Sequence, residues 1–397
     1  MKIAMYMPGL RSGSMSWAIY HDFAAAMRTA GADFVLLTDA PARATSCPPG
    51  TVFLPPAPWA APLDRLARAV TRAGALLQTA SRIRRWLRAN PGVDVIYMEM
   101  TYPLGAAAWL ATRLTGWKGD LIMTPMGEDF LVLEEASYGH RRYPGPRWLI
   151  DQTMKSAAAI RCISPMVEPY ASQFRRPSRV IPLNVADATL ARKPEAEQAR
   201  QTSRRLLEQR LNLGPGGIVL SLGRLHPFKG IHVLVEAMEH VPDAHLLVAG
   251  PSLNVAGFGD YQSYLEGQAA GLGIANRVHL LGTVPHEQVG AMMAAADVVV
   301  VPSLLESMNR VCAEAAATGT PFIVTSSTGV ADLVDEAGVG QIVAPGDPRA
   351  LAAAISAVLE GRWQPDTAAT QRFLEQFAAS RAAPRLLELI ATASPER

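Results

Sequence analysis

Two glutamates, Glu306 and Glu314, lie eight positions apart in the stretch VVVVPSLLESMNRVCAEAAATGTPFIV, residues 298–324. Upstream, two permanent cations stand between glycines: Gly223-Arg224 and Lys229-Gly230. A planar guanidinium fork and a point-like ammonium together suit a diphosphate. A helix starting between the glutamates would add unpaired N–H groups and the positive end of a dipole. Eight helical residues span roughly 12 Å, and fewer if Glu306 precedes the helix, which is about the reach of a nucleotide sugar from ribose to hexose. Taken alone, the glutamates fit an equally plain reading, with Glu306 as a helix cap and Glu314 as a solvated helix residue.

The elements that must position these groups follow from local pattern. The β-branched run 298–301 predicts a buried parallel strand, ended by Pro302 and Ser303. An Ala-rich helix is expected over 307–318, closed by Gly319 as its C′ residue, with Pro321 beyond it. Glu306 then sits in the preceding loop and Glu314 in the second turn. A strand begins at Phe322, which completes a βαβ unit.

The same alternation runs through the chain. Strands are expected at 2–7, 34–38, 93–98, 120–124, 159–163, 179–181, 218–222, 245–249 and 278–281. Helices are expected from Ser14 or Ser16 to Ala30 and over 63–89, 148–159, 191–212 and 370–392. Alternating strands and helices predict the α/β class with parallel sheets. After the first strand comes Pro8-Gly9-Leu10-Arg11-Ser12-Gly13-Ser14, which is not GxGxxG, so a dinucleotide fingerprint is absent. Its backbone could still dock an anion at the following helix, or it is an ordinary turn.

The 397 residues allow two domains, and 49% apolar with 18% charged content describes a globular protein. No run of eighteen apolar residues exists, the N-terminus enters a strand directly without a signal-peptide pattern, and Cys47, Cys162 and Cys312 form no metal or disulfide spacing. A cytoplasmic location follows as the expectation, with the inner membrane face as its alternative. Residues 1–190 carry 21 Lys and Arg against 14 Asp and Glu, a balance of +7, whereas 191–397 carry 16 against 21, or −5. Residues 63–90 hold seven arginines and one acid around an apolar pattern. Peripheral contact with an anionic membrane is one reading; a core-facing helix with solvated arginines is the other.

The spacing Glu306…Glu314-Ala315…Gly319-Thr320-Pro321 resembles the family 4 glycosyltransferases, retaining enzymes of the GT-B fold. The resemblance continues through Ser221-Leu222-Gly223-Arg224-Leu225, Thr328-Gly329-Val330 and Val343-Ala344-Pro345-Gly346-Asp347. It covers residues 180–360 strongly and 1–180 weakly. It implies two Rossmann-like domains facing a central cleft: an acceptor domain over 1–185, rejoined by a terminal helix at about 372–397, and a donor domain over 186–371.

It further implies a retaining transfer of a hexosyl unit from a nucleoside diphosphate sugar, UDP-sugar ahead of GDP-sugar, to a glycan, lipid or small-molecule hydroxyl. No cofactor, metal or nucleic acid is expected. Arg224 and Lys229 would neutralise the diphosphate, Glu306 orient the sugar and Glu314 take the ribose. Gly9, Gly13, Val284, Ser307, Met308, Asn309 and Arg310 complete the expected donor site. Where the family carries His, this chain has Met126, and where it prefers Gly, Asn309. Glu128 and Asp129, after the strand 120–124, are candidates to accept an acceptor proton, with loop capping as the alternative. A non-catalytic nucleotide-sugar-binding subunit, or a GT-B phosphorylase or epimerase, are the rival readings.

Overall fold

The computed structural model describes residues 1–10, 15–39, 50–54, 72–191 and 197–393. Gly13 and residues 63–71 of the basic stretch lie outside them.

The chain forms two units. The first comprises Met1–Val132, Gly139–Ala186 and Ala379–Arg397; the second comprises Leu133–Tyr138 and Asp187–Ala378. The sequence placed the outer boundary near 371, but the terminal helical region divides there differently. Thr367–Glu375 belongs to the second unit and Ala379–Ala393 to the first. Between them the backbone tightens, with Gln376, Phe377 and Ala378 N–H each bonding three residues back. Phe377 is fully buried against Phe373 at 5.0 Å, which anchors the break.

The first unit holds a parallel sheet in the order β3-β2-β1-β4-β5-β6-β7. Its strands are β1 (Lys2–Tyr6), β2 (Asp33–Thr38), β3 (Thr51–Phe53), β4 (Val95–Glu99), β5 (Asp120–Thr124), β6 (Ala159–Cys162) and β7 (Ser178–Val180). Strand β3 is not among the strands that the sequence pattern predicts. Both sheet faces are covered, so the strands are nearly continuously apolar. Ile3, Met5, Phe23, Phe34, Tyr97 and Ile122 form one core with Leu386 and Ile390 of the terminal helix.

The second unit holds β8 (Gly217–Leu222), β9 (Ala244–Ala249), β12 (Val278–Leu280), β13 (Val298–Val301), β14 (Phe322–Thr325) and β15 (Gln341–Val343). They form a parallel sheet ordered β12-β9-β8-β13-β14-β15. A small antiparallel pair, β10 (Asn254–Val255) and β11 (Gly259–Asp260), lies outside it. Strand order reverses direction between β8 and β13. Ligands of open α/β sheets bind at such a switch point, beyond the carboxyl ends of the strands. Arg224 and Lys229 follow β8, and Glu306 follows β13.

The helix after β13 spans Val311–Thr318, four residues shorter than expected. Residues 303–309 are held in another conformation. Glu306 N–H donates to Ser327 O at 3.2 Å and its carbonyl accepts from Gly329 N–H at 2.7 Å. The helix begins where Asn309 Oδ1 accepts from Val311 N–H at 2.8 Å. Glu314 therefore stands in the first turn rather than the second. Gly319 closes the helix at φ +74°, in the left-handed region that the C′ position favours.

The loops after β8 and β13 touch through main chain. Leu304 N–H donates to Phe228 O at 2.8 Å. Gly230 has φ +67°, and a Cβ there would stand 1.9 Å from Pro302 O. Gly338 has φ +66° with nothing within 4 Å of such a Cβ. Gly230→Ala should therefore cost at least ~2 kcal/mol of stability and Gly338→Ala only about 1 kcal/mol. Equal melting-temperature losses for the two variants would contradict the close approach.

Candidate functional site

In the second unit, a single turn Pro227–Lys229 carries the lysine, and the His226 ring accepts from Phe228 N–H at 3.4 Å. Lys229 Nζ lies 5.3 Å over the Phe228 ring and ion-pairs with Glu306 Oε1. The side chains of Lys229 and Glu306 are 15% and 13% exposed, so the pair is held largely out of water. Glu306 Oε2 accepts from Ser303 Oγ at 2.8 Å and from Asn309 Nδ2 at 2.9 Å. Arg224 is exposed at the rim of the same loop.

The remaining expected donor residues divide by orientation. Ser307, Met308 and Asn309 are all buried. Arg310 is half-buried, and Glu314 is buried one turn into the helix. Between the two glutamates, the Cys312 thiol is pushed well above its ordinary range by burial, with Glu306 and Glu314 adding to it. It is a neutral packing group. Val284 is half-buried in the turn after β12, where Gly282 O accepts from Gly250 N–H at 2.8 Å.

The first unit corrects three expectations. Asp129 is fully buried. Its Oδ2 accepts from Thr101 N–H at 2.6 Å and Met126 N–H at 2.8 Å, and its Oδ1 from Tyr102 N–H at 2.9 Å. It knits the loops after β4 and β5 together and presents no oxygen to a ligand. Burial pushes its carboxyl up to about 6, against the lowering effect of the three N–H donors. Gly9 N–H does not wait for an anion either; it donates to Asp39 Oδ1 at 2.8 Å. Arg82 donates to Asp39 Oδ2 at 2.6 Å, so one of the seven arginines braces the fold.

Glu128 remains partly exposed and pairs with His140 Nε2 at 3.1 Å. His140 is buried and packs edge-on to Tyr102 at 5.1 Å. Nothing in the sequence pattern singles out His140. A second unforeseen cluster lies at the end of β4. Glu99 accepts from Tyr20 Oη at 2.7 Å and Tyr97 Oη at 2.9 Å, and pairs with fully buried Arg161 at 3.2 Å. Arg161 also donates to the Ile181 and Pro182 carbonyls. A lone Arg in an apolar strand was its only signal.

The family described as "Glycosyl transferases group 1" matches residues 204–373, and "Glycosyl transferase 4-like domain" matches residues 16–184. The chain belongs to the family 4, or group 1, glycosyltransferases. The D-inositol 3-phosphate glycosyltransferase of Corynebacterium urealyticum is 33% identical over 270 residues, covering 64% of this chain and 61% of that protein. A glycogen synthase of Mycobacterium tuberculosis is 34% identical over 164 residues, 41% of this chain and 37% of that protein. The matched segments thus span about a third to three fifths of these relatives. The crystal structure of Anabaena HepE in complex with UDP shares the fold at a TM-score of 0.71, with 20% identity and 99% and 100% of the two chains covered. The fold is GT-B. Among the described residues no three His, Cys, Asp or Glu are grouped to hold a metal, and no helix is long and apolar enough to cross a membrane.

Asp129 sets a pH test. Its folded carboxyl titrates near 6 and an unfolded one near 3.8, so the folded state holds the extra proton between these values. Its contribution is complete below the unfolded value and is lost as pH rises through 6, a swing of about 3 kcal/mol. Asp129→Asn should lower stability, because an amide NH2 would face N–H donors, and should remove that swing. Parallel stability curves for the two proteins between pH 4 and 6 would contradict this assignment.

Proposed function

We propose that this protein transfers a hexosyl unit, with retention and without a metal, from a nucleoside diphosphate sugar to an acceptor hydroxyl. The observation that carries the reading is the meeting of Lys229 and Glu306 at the switch point of the second unit. The names of the relatives are those of glycosyltransferases, and Anabaena HepE was crystallised with UDP and with UDP-glucose. UDP-sugars are therefore the first donors to try, with GDP-sugars next.

In this reading the bond between the sugar's anomeric carbon and the β-phosphate oxygen breaks, and a bond from that carbon to the acceptor oxygen forms on the same face. The acceptor proton passes to the departing phosphate. Negative charge grows on the diphosphate, where Lys229 and Arg224 stabilise it. Glu306 orients the sugar hydroxyls and Glu314 the ribose. Glu128, with its His140 partner, stands at the carboxyl end of β5 and is proposed to contact the acceptor; Asp129 has no part in this.

Lys229→Ala and Arg224→Ala should each weaken UDP binding by roughly 1.5–3 kcal/mol while leaving uridine binding little changed. Glu306→Gln should lose most turnover of a UDP-sugar yet keep UDP affinity. Calorimetric titration with UDP and uridine decides the first; equal losses for both ligands would refute the phosphate role. Turnover unaffected by Glu306→Gln would refute the role of Glu306, whereas donor binding without any hydrolysis or transfer by the wild-type protein would favour a non-catalytic binding subunit.

Peripheral membrane contact is proposed for the outer side of the Arg72–Ala89 helix. Leu76, Ile83, Trp86 and Leu87 face the core, while Leu77, Arg85 and Arg88 are exposed. Binding to anionic liposomes should fall as salt rises, because such a field reaches about one Debye length, ~8 Å at physiological salt. Absence of binding at low salt would leave these arginines as a solvated face.

A further inference from the structure

The two oxygens of the Glu306 carboxylate are held by different kinds of partner. Oε1 meets Lys229, an ammonium on a flexible four-carbon stem. Oε2 meets Ser303 Oγ and Asn309 Nδ2, at 2.8 and 2.9 Å. Both of these are fixed from behind. Ser303 is 1% exposed, and its carbonyl accepts from Thr325 Oγ1 at 2.5 Å and Ser327 Oγ at 2.9 Å. Asn309 is 6% exposed, and its amide oxygen accepts from Val311 N–H at 2.8 Å, at the start of the helix. One amide thus ties the carboxylate to the helix that carries Glu314.

A carboxylate has about four lone-pair sites, and described residues fill three of them here. Oε2 is anchored, since freeing it would strip two buried donors of their acceptor. Among the described residues, Oε1 is held by a cation alone, one that a diphosphate would draw toward itself. We infer that Asn309 is a positioning residue: it fixes the Glu306 carboxylate so that Oε1 turns to the donor's sugar hydroxyls as Lys229 moves onto the diphosphate. This rests on the donor reading above and revises the expectation that Asn309 itself binds the donor.

The rival role is purely local, with Asn309 starting the helix through Val311 and its contact to Glu306 incidental. Asn309→Asp separates the two. It keeps the size and the oxygen facing Val311 N–H, but its other oxygen can donate to Glu306 only when protonated. The surrounding charged and titratable groups are Lys229 from the loop after β8, and the neutral Cys312 thiol and Glu314 on the helix. Two carboxylates at hydrogen-bond distance hold one proton between them at low pH and repel at high pH.

The readout is UDP release from UDP-glucose, with GDP-mannose and ADP-glucose as second probes, and UDP affinity by calorimetry. Asn309→Asp should turn over within ~5-fold of wild type near pH 5.5 and fall about 100-fold below it by pH 8. Asn309→Ala should lose roughly 10-fold in kcat at every pH, and UDP affinity should change less than ~3-fold in both variants. A deficit of Asn309→Asp that is the same at all pH values, or loss of UDP affinity equal to the loss of kcat, would overturn the positioning role. Wild-type protein that neither binds UDP nor turns over any of the three sugars would instead overturn the donor reading, and this inference with it.

Discussion

The loops after β8 and β13 are locked to each other before any ligand is considered. Leu304 N–H reaches Phe228 O, Gly230 presses its Cα against Pro302 O, and the Lys229–Glu306 pair bridges above them. A largely buried ion pair gains little net stability, because desolvation offsets the attraction, but losing one partner strands the other. The pair therefore acts more as a registration device than as a source of stability. It places a cation and a carboxylate side by side where two parallel strands part, with the helix N-terminus beside them. A third loop, after β14, fixes Glu306 from the opposite side through Ser327 and Gly329.

Much of this was legible in the sequence because it depends on short-range rules. A β-branched run such as Val298–Val301 has one stable reading in an α/β chain, and Gly319 before Thr320-Pro321 closes a helix in one way. The strands β5, β8, β9 and β12 were foreseen to within a residue or so for the same reason. The helix start was not. Asn309 has a side chain that can cap Val311, yet the pattern from Ser307 onward also fits a helix. The choice is made by hydrogen bonds to residues 327–329, which no local rule contains.

The first unit was harder to read because its polar groups are recruited over long separations. Asp129 looked like a base at a strand end; its three N–H partners lie at Thr101, Tyr102 and Met126, and two of them belong to another loop. Gly9, Asp39 and Arg82 come from three separate segments, as do Glu99, Arg161 and Tyr20. Buried charges of this kind are legible only once their partners are placed. The second unit, by contrast, keeps Arg224 and Lys229 within a loop that the sequence already marks with Gly223 and Gly230.

The central claim is that a nucleoside diphosphate sits on the loops that follow β8, β13 and β14. Hydrogen exchange with and without saturating UDP tests it most directly, because ligand contact and loop ordering slow amide exchange where they occur. The account predicts protection concentrated in residues 223–231, 302–314 and 325–331, with little change in the sheet of the first unit. Protection absent from all three loops, or centred on another part of the chain, would contradict it.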